Sequence, residues 1–117
     1  MDWAGDGKGN RNPVVIVNGD RGIEILTIKK KAGKTVKLDA LKSFDPEGDM
    51  LTYKWWVLTA AGTYNGVVSI ADDKRSKSAI TIPENSAGKT IHVICEVTDN
   101  GEPGLTSYRR IIIESIK

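Results

Sequence analysis

Cysteine and histidine occur once each in the 117 residues, as Cys95 and His92. One cysteine excludes an intramolecular disulfide, a cysteine-rich zinc cluster and a two-cysteine redox motif. One histidine means that any histidine-dependent catalytic group has to use His92. Charge of one sign is also missing. Seventeen Lys and Arg against fifteen Asp and Glu leave a formal net charge of +2, so no electrostatic footprint of a nucleic-acid binder stands out. No apolar stretch approaches the length of a membrane-spanning helix. Residues 1–12 lack the apolar run of a signal peptide and are Gly-rich and polar. They read as a linker ahead of one β module over residues 13–117, which suggests a piece of a longer protein.

What is present is a series of short apolar runs separated by turn residues. Val14–Val17 follows Pro13 and is turned by Asn18-Gly19-Asp20. Ile23–Ile28 is punctuated by Ala32-Gly33-Lys34. Thr35–Ala40, Leu51–Leu58, Val67–Ala71, Ala79–Ile82, Thr90–Thr98 and Thr106–Ile116 follow. Val36, Leu38 and Ala40 alternate with Lys37 and Asp39, the period of a half-buried strand. No segment keeps a 3.6-residue period over three turns. Seven or eight short strands at this spacing predict an all-β, immunoglobulin-like antiparallel sandwich, with a β-barrel of similar strand count as the competing architecture.

Strict alternation then assigns faces. Leu51, Tyr53 and Trp55 are expected inward, with Lys54 and Trp56 outward. Ile91, Val93, Cys95 and Val97 are expected inward, with His92, Ile94, Glu96 and Thr98 outward. On the last strand Ile111 and Ile113 are the inward choice, leaving Tyr108, Arg110 and Ile112 outside, unless a bulge shifts the register. Cys95 between two inward valines reads as a small buried hydrophobe.

Several segments carry a resemblance together. They are Pro13–Asp20, Ser43–Trp56 with its Asp-Pro-Glu-Gly-Asp turn and Tyr-Lys-Trp-Trp run, and Ala61–Tyr64. Thr90–Gly101 with its His-Val-Ile-Cys-Glu-Val run and Leu105–Arg110 complete the set. The set resembles the C-terminal domain of bacterial cellulose-binding proteins whose N-terminal domain is nucleoside-hydrolase-like. It implies a secreted or periplasmic protein and a non-catalytic accessory module. The partners it implies are a polysaccharide such as cellulose and the N-terminal domain of the same protein, with no nucleic acid and no membrane. The two turns alone are shared with many PKD-like and cadherin-like surface modules. Cys95 departs from the aliphatic residue expected at its position.

Two constellations are candidate sites. Trp56, His92, Tyr108 and Arg110, joined by Tyr64 from the Gly62–Gly66 loop, form a candidate ligand-binding face. Flat rings stack on the C–H faces of sugars while polar neighbours bond hydroxyls. The same face also reads as a packing surface against another domain or a second copy, the reading that the residues taken alone favour. The second constellation is acidic: Asp45, Glu47, Asp49, Asp99 and Asn100, from loops expected at one end of the sandwich. These oxygens suit Ca²⁺, but Asp and Asn in such runs also bond their own backbone, and that turn role is the favoured reading. No other cofactor is suggested.

Lys29, Lys30, Lys31, Lys34 and Lys37 make one basic run, which reads as protection of a strand edge rather than a polyanion site. Catalysis finds no support. Glu96 lies four residues from His92 along a strand, on the order of 13 Å, and no phosphate loop or nucleophile elbow is present.

Overall fold

The computed structural model describes residues 12–21, 24–46, 48, 50–101 and 104–117. Among these, seven strands form: β1 (Leu26–Lys31), β2 (Thr35–Asp39), β3 (Leu51–Val57), β4 (Ser69–Ala71), β5 (Lys77–Thr81), β6 (Thr90–Asp99) and β7 (Thr106–Ile116). A single 3-10 turn, Glu84–Ser86, is the only helical element among them. One sheet has the order β1-β7-β6-β3 and the other β2-β5-β4. Two facing sheets, with alternating residues meeting between them, make the expected all-β sandwich, consistent with an immunoglobulin-like arrangement.

The alternation read from the sequence sets the core. Trp55, Ile91, Val93, Cys95, Val97, Ile111 and Ile113 from one sheet meet Val36, Leu38, Ile80 and Ile82 from the other. Trp55 stands opposite Cys95 in the β3–β6 register. Its indole N–H donates to Arg75 O at 2.7 Å, so the one polar atom of this buried ring is satisfied. The β6–β7 ladder runs from Thr90↔Glu114 to Thr98↔Thr106 without a slip. No bulge intervenes, and Ile111 and Ile113 face inward as expected. The Cys95 thiol is free and buried. Burial, and secondarily the Glu96 charge, push its pKa up to about 12.

Two local expectations change. Val14–Val17 is not a laddered strand. It is held by the isolated bridges Val14↔Phe44 and Val17↔Asp20, and the Ser43 hydroxyl accepts from Ile16 N at 2.8 Å where a strand partner would otherwise accept. Val15 and Val17 are buried nonetheless. The second extended run lies further along than Ile23–Ile28 (Ile23 itself is outside the described residues). β1 begins at Leu26 and continues through Lys29, Lys30 and Lys31, because its parallel ladder with β7 defines it more than burial does. Arg109 is a further feature of β7. It shares the inward period of Ile111 and Ile113 and is buried, where charge alone would place it outside.

β1 is an edge strand of the four-stranded sheet and β2 an edge strand of the other. The lysines on these two strands therefore lie where they discourage edge-to-edge association. Residues 1–11 of the expected linker fall outside the described residues. Asn12, its last residue, donates from Nδ2 to Thr106 O at 3.1 Å.

Candidate ligand face

The outer face of the four-stranded sheet is ordered in cross-strand rows, because residues in register point the same way. Trp56 on β3 pairs with Ile94 on β6, and Ile94 pairs with Arg110 on β7. The neighbouring row is Lys54, Glu96 and Tyr108. Trp56, Ile94, Tyr108 and Arg110, with Ile25 and Leu58, line one shallow groove of about 360 Å³. Tyr108 is 62% exposed and Ile25 53%. Trp56 is half-buried, and its indole N–H donates to Glu96 Oε2. That bond spans 40 positions of sequence and fixes the ring plane. Glu96 was readable as an outward residue, but its bond to Trp56 depends on the β3–β6 register and has no local signal.

Two of the five expected face residues stand apart from this groove. Tyr64 packs against the hydrophobic core, and its hydroxyl donates to Asn85 Oδ1 at 2.9 Å. The loop that carries it folds inward, so Tyr64 does not extend the platform. His92 is on the outer face but is partly covered. A Cβ on Gly62 would meet Thr90 O at 2.6 Å and His92 Cδ2 at 3.5 Å, which shows how closely the 59–66 loop lies over it. His92 Nδ1 is buried and has no hydrogen-bond partner. Burial, and then the Arg110 charge, lower its pKa below the ordinary value.

The acidic loops do meet at one end. Met50 N donates to Asn100 Oδ1 at 3.0 Å, and Asn100 N donates to Met50 O at 3.1 Å. Asp99 is buried, and its Oδ1 accepts from Gly101 N at 3.1 Å and Leu105 N at 3.0 Å. These side-chain oxygens serve as turn formers. Asp45 is buried, and its carbonyl accepts from Gly48 N at 2.9 Å. Glu47 and Asp49 lie outside the described residues. Among the described residues no three His, Cys, Asp or Glu side chains converge as a metal site. No helix among them is long and apolar enough to cross a membrane.

The family described as "Cellulose-binding protein Sde0182, C-terminal domain" matches residues 35–115, and the chain belongs to that family. It is also similar to a solved nucleoside hydrolase-related hypothetical protein from Saccharophagus degradans, described as associated with carbohydrate metabolism. The two are 40% identical over 91% of this chain, with a TM-score of 0.90. This chain spans only 26% of that one. No curated protein matches.

Proposed function

We propose that the chain is a non-catalytic accessory module that binds plant polysaccharide on the outer face of the four-stranded sheet. The observation that carries this is the row Trp56–Ile94–Arg110 with Tyr108 beside it, lining one groove. A pyranose ring laid there meets an oriented indole, an exposed phenol and an aliphatic floor. The Arg110 guanidinium offers donors to hydroxyl oxygens. Membership in a cellulose-binding family supports a neutral glucan as the ligand. An insoluble plant polymer lies outside the cell, which supports export of the parent protein.

Retention on insoluble cellulose tests the proposal. Tyr108→Ala removes an exposed ring and leaves the core untouched. It is expected to weaken retention about tenfold, near 1.4 kcal/mol, the scale of one stacking contact plus its buried area. Trp56→Ala is expected to weaken it further. Equal retention of both variants and wild type would sink the proposal.

A second reading rests on the aliphatic share of the same groove. Ile25, Leu58 and Ile94 are more apolar than sugar recognition requires. They suit contact with a nucleoside-hydrolase-like domain of the same protein, an arrangement consistent with the larger solved relative. Hydrogen exchange discriminates the two. Protection of Ile25 and Tyr108 in the parent protein without any glycan favours domain packing.

A further inference from the structure

Tyr108 belongs to two grooves. On one side lies the Trp56–Ile94–Arg110 groove. On the other lies a second groove of about 440 Å³, lined by Asn12, Pro13, Arg21, Thr106 and Ser107 among others. The reason is in the ladder. β1 pairs with β7 only from Ile111 to Ile116. Over residues 106–110 the place of a neighbouring strand is taken by the irregular segment that starts at Asn12. That segment is tied down by side chains: Asn12 Nδ2 to Thr106 O at 3.1 Å, and Ser107 Oγ to Pro13 O at 2.7 Å. Irregular backbone beside a strand leaves a trough where a regular strand would have filled it. Arg21 borders the trough, and its guanidinium lies 5.3 Å from the centroid of the Phe44 ring, a cation–π contact that holds the side chain in place.

We infer that the two grooves are one track bridged by Tyr108, so that the ligand is an extended, unbranched sugar chain running from Trp56 past Tyr108 to Arg21. This rests on the polysaccharide-binding reading of the first groove. Three features select such an occupant. The exposed phenol stands between the grooves, so a ligand occupying both has to cross it, and stacking on a ring is how a sugar crosses a phenol. Arg21 stands at one end of the track, and Arg110 stands beside Tyr108 on β7. The Glu96 carboxylate beside the first groove is engaged by the Trp56 indole N–H, so the Arg21 and Arg110 guanidinium groups are the donors the track offers to hydroxyl oxygens. The row from Trp56 to Arg110 alone crosses three strands, about 10 Å. Together with the trough beyond Tyr108, this is longer than a disaccharide fills.

The full chain, titrated with cellobiose and with cellohexaose while backbone amide resonances are followed, tests the track. Cellobiose is expected to shift Trp56, Ile94, Tyr108 and Arg110 but not Arg21, Thr106 or Ser107. Cellohexaose is expected to shift these together with Arg21, Thr106 and Ser107, and to bind at least tenfold more tightly. Arg21→Ala is expected to remove most of that length advantage while leaving cellobiose binding at the wild-type value. Asn12→Ala, which touches neither Phe44 nor the core, serves as the second variant on the same arm. The inference is overturned if cellohexaose binds no more tightly than cellobiose, or if both variants keep the full length advantage. In that case binding at the first groove still stands. If neither sugar binds wild type, the polysaccharide-binding reading itself fails and the track with it.

Discussion

The guanidinium of Arg109 and the carboxylate of Asp20, 89 positions apart in sequence, are joined at 3.0 Å between Nη2 and Oδ1. Arg109 also donates through Nη1 to Asp20 O at 3.0 Å and through Nε to Glu24 O at 2.6 Å. One buried side chain thereby satisfies the turn that precedes β1 and fastens it to β7. Arg109→Met keeps the aliphatic stem but strands the Glu24 carbonyl, while Asp20 O keeps its bond from Val17 N at 3.2 Å. It is expected to destabilise by about 2–3 kcal/mol, because the Glu24 carbonyl left without a donor incurs its desolvation cost and the charge-assisted bond to Asp20 is lost. Asp20→Asn keeps the carbonyl bonds, and its side chain is 48% exposed, so its cost is expected to be about 1 kcal/mol or less. Denaturant unfolding of the two variants checks the order, and an Asp20→Asn variant as unstable as Arg109→Met would contradict it.

The lowered pKa of His92 has a definite sign for stability. A proton binds the unfolded chain more readily than the folded one. Stability is therefore unaffected well above the unfolded value near 6.5 and falls as pH drops through 6.5 toward the folded pKa. Melting temperatures measured from pH 7.5 down to 5.5 should decline in wild type. In His92→Asn the decline should be shallower. Parallel curves for the two proteins would remove His92 as the cause.

Cys95 combines burial with a pKa near 12, so almost no thiolate exists at neutral pH. A chromogenic disulfide reagent at pH 8 is expected to leave the native chain unmodified for hours and to label it within minutes in denaturant. Prompt labelling of the native chain would show that the β3–β6 interior opens far more readily than its packing implies. Cys95→Val, close in volume, is expected to fold with a stability change below about 1.5 kcal/mol.

How far the sequence foretold the structure differs by element. Period-two alternation placed Trp55, Cys95, Ile111 and Ile113 inside and Trp56, Ile94, Tyr108 and Arg110 outside, because a pleated strand has no other option once one face is buried. In the structure Arg109 lies inside on the same period, against its charge. Its partners are backbone carbonyls and a carboxylate far away in sequence, and no local pattern announces them. Tyr64 shows the limit of reading loops. Its Gly-rich surroundings suggested exposure, while the packing of the loop over Thr90 and His92 turns the ring toward the core. Of the candidate site, the sheet-borne members were legible as a face. Their grouping around Glu96, and the trough beyond Tyr108, depend on ladder lengths that only the folded chain defines.

The parallel pairing of β1 with β7 also has a mechanical meaning. The chain enters β1 at the end where Leu26 faces Ile111 and leaves β7 at the opposite end, beyond Ile116. Tension applied through the two ends therefore slides β1 along β7. All the hydrogen bonds of that ladder are loaded at once, whereas peeling would break them one by one. The antiparallel β6–β7 pair, gripped at Thr90 and Glu114, would instead unzip from one side. Single-molecule pulling through the ends should meet a higher rupture force than pulling through those two positions, and the reverse order would contradict the shear geometry.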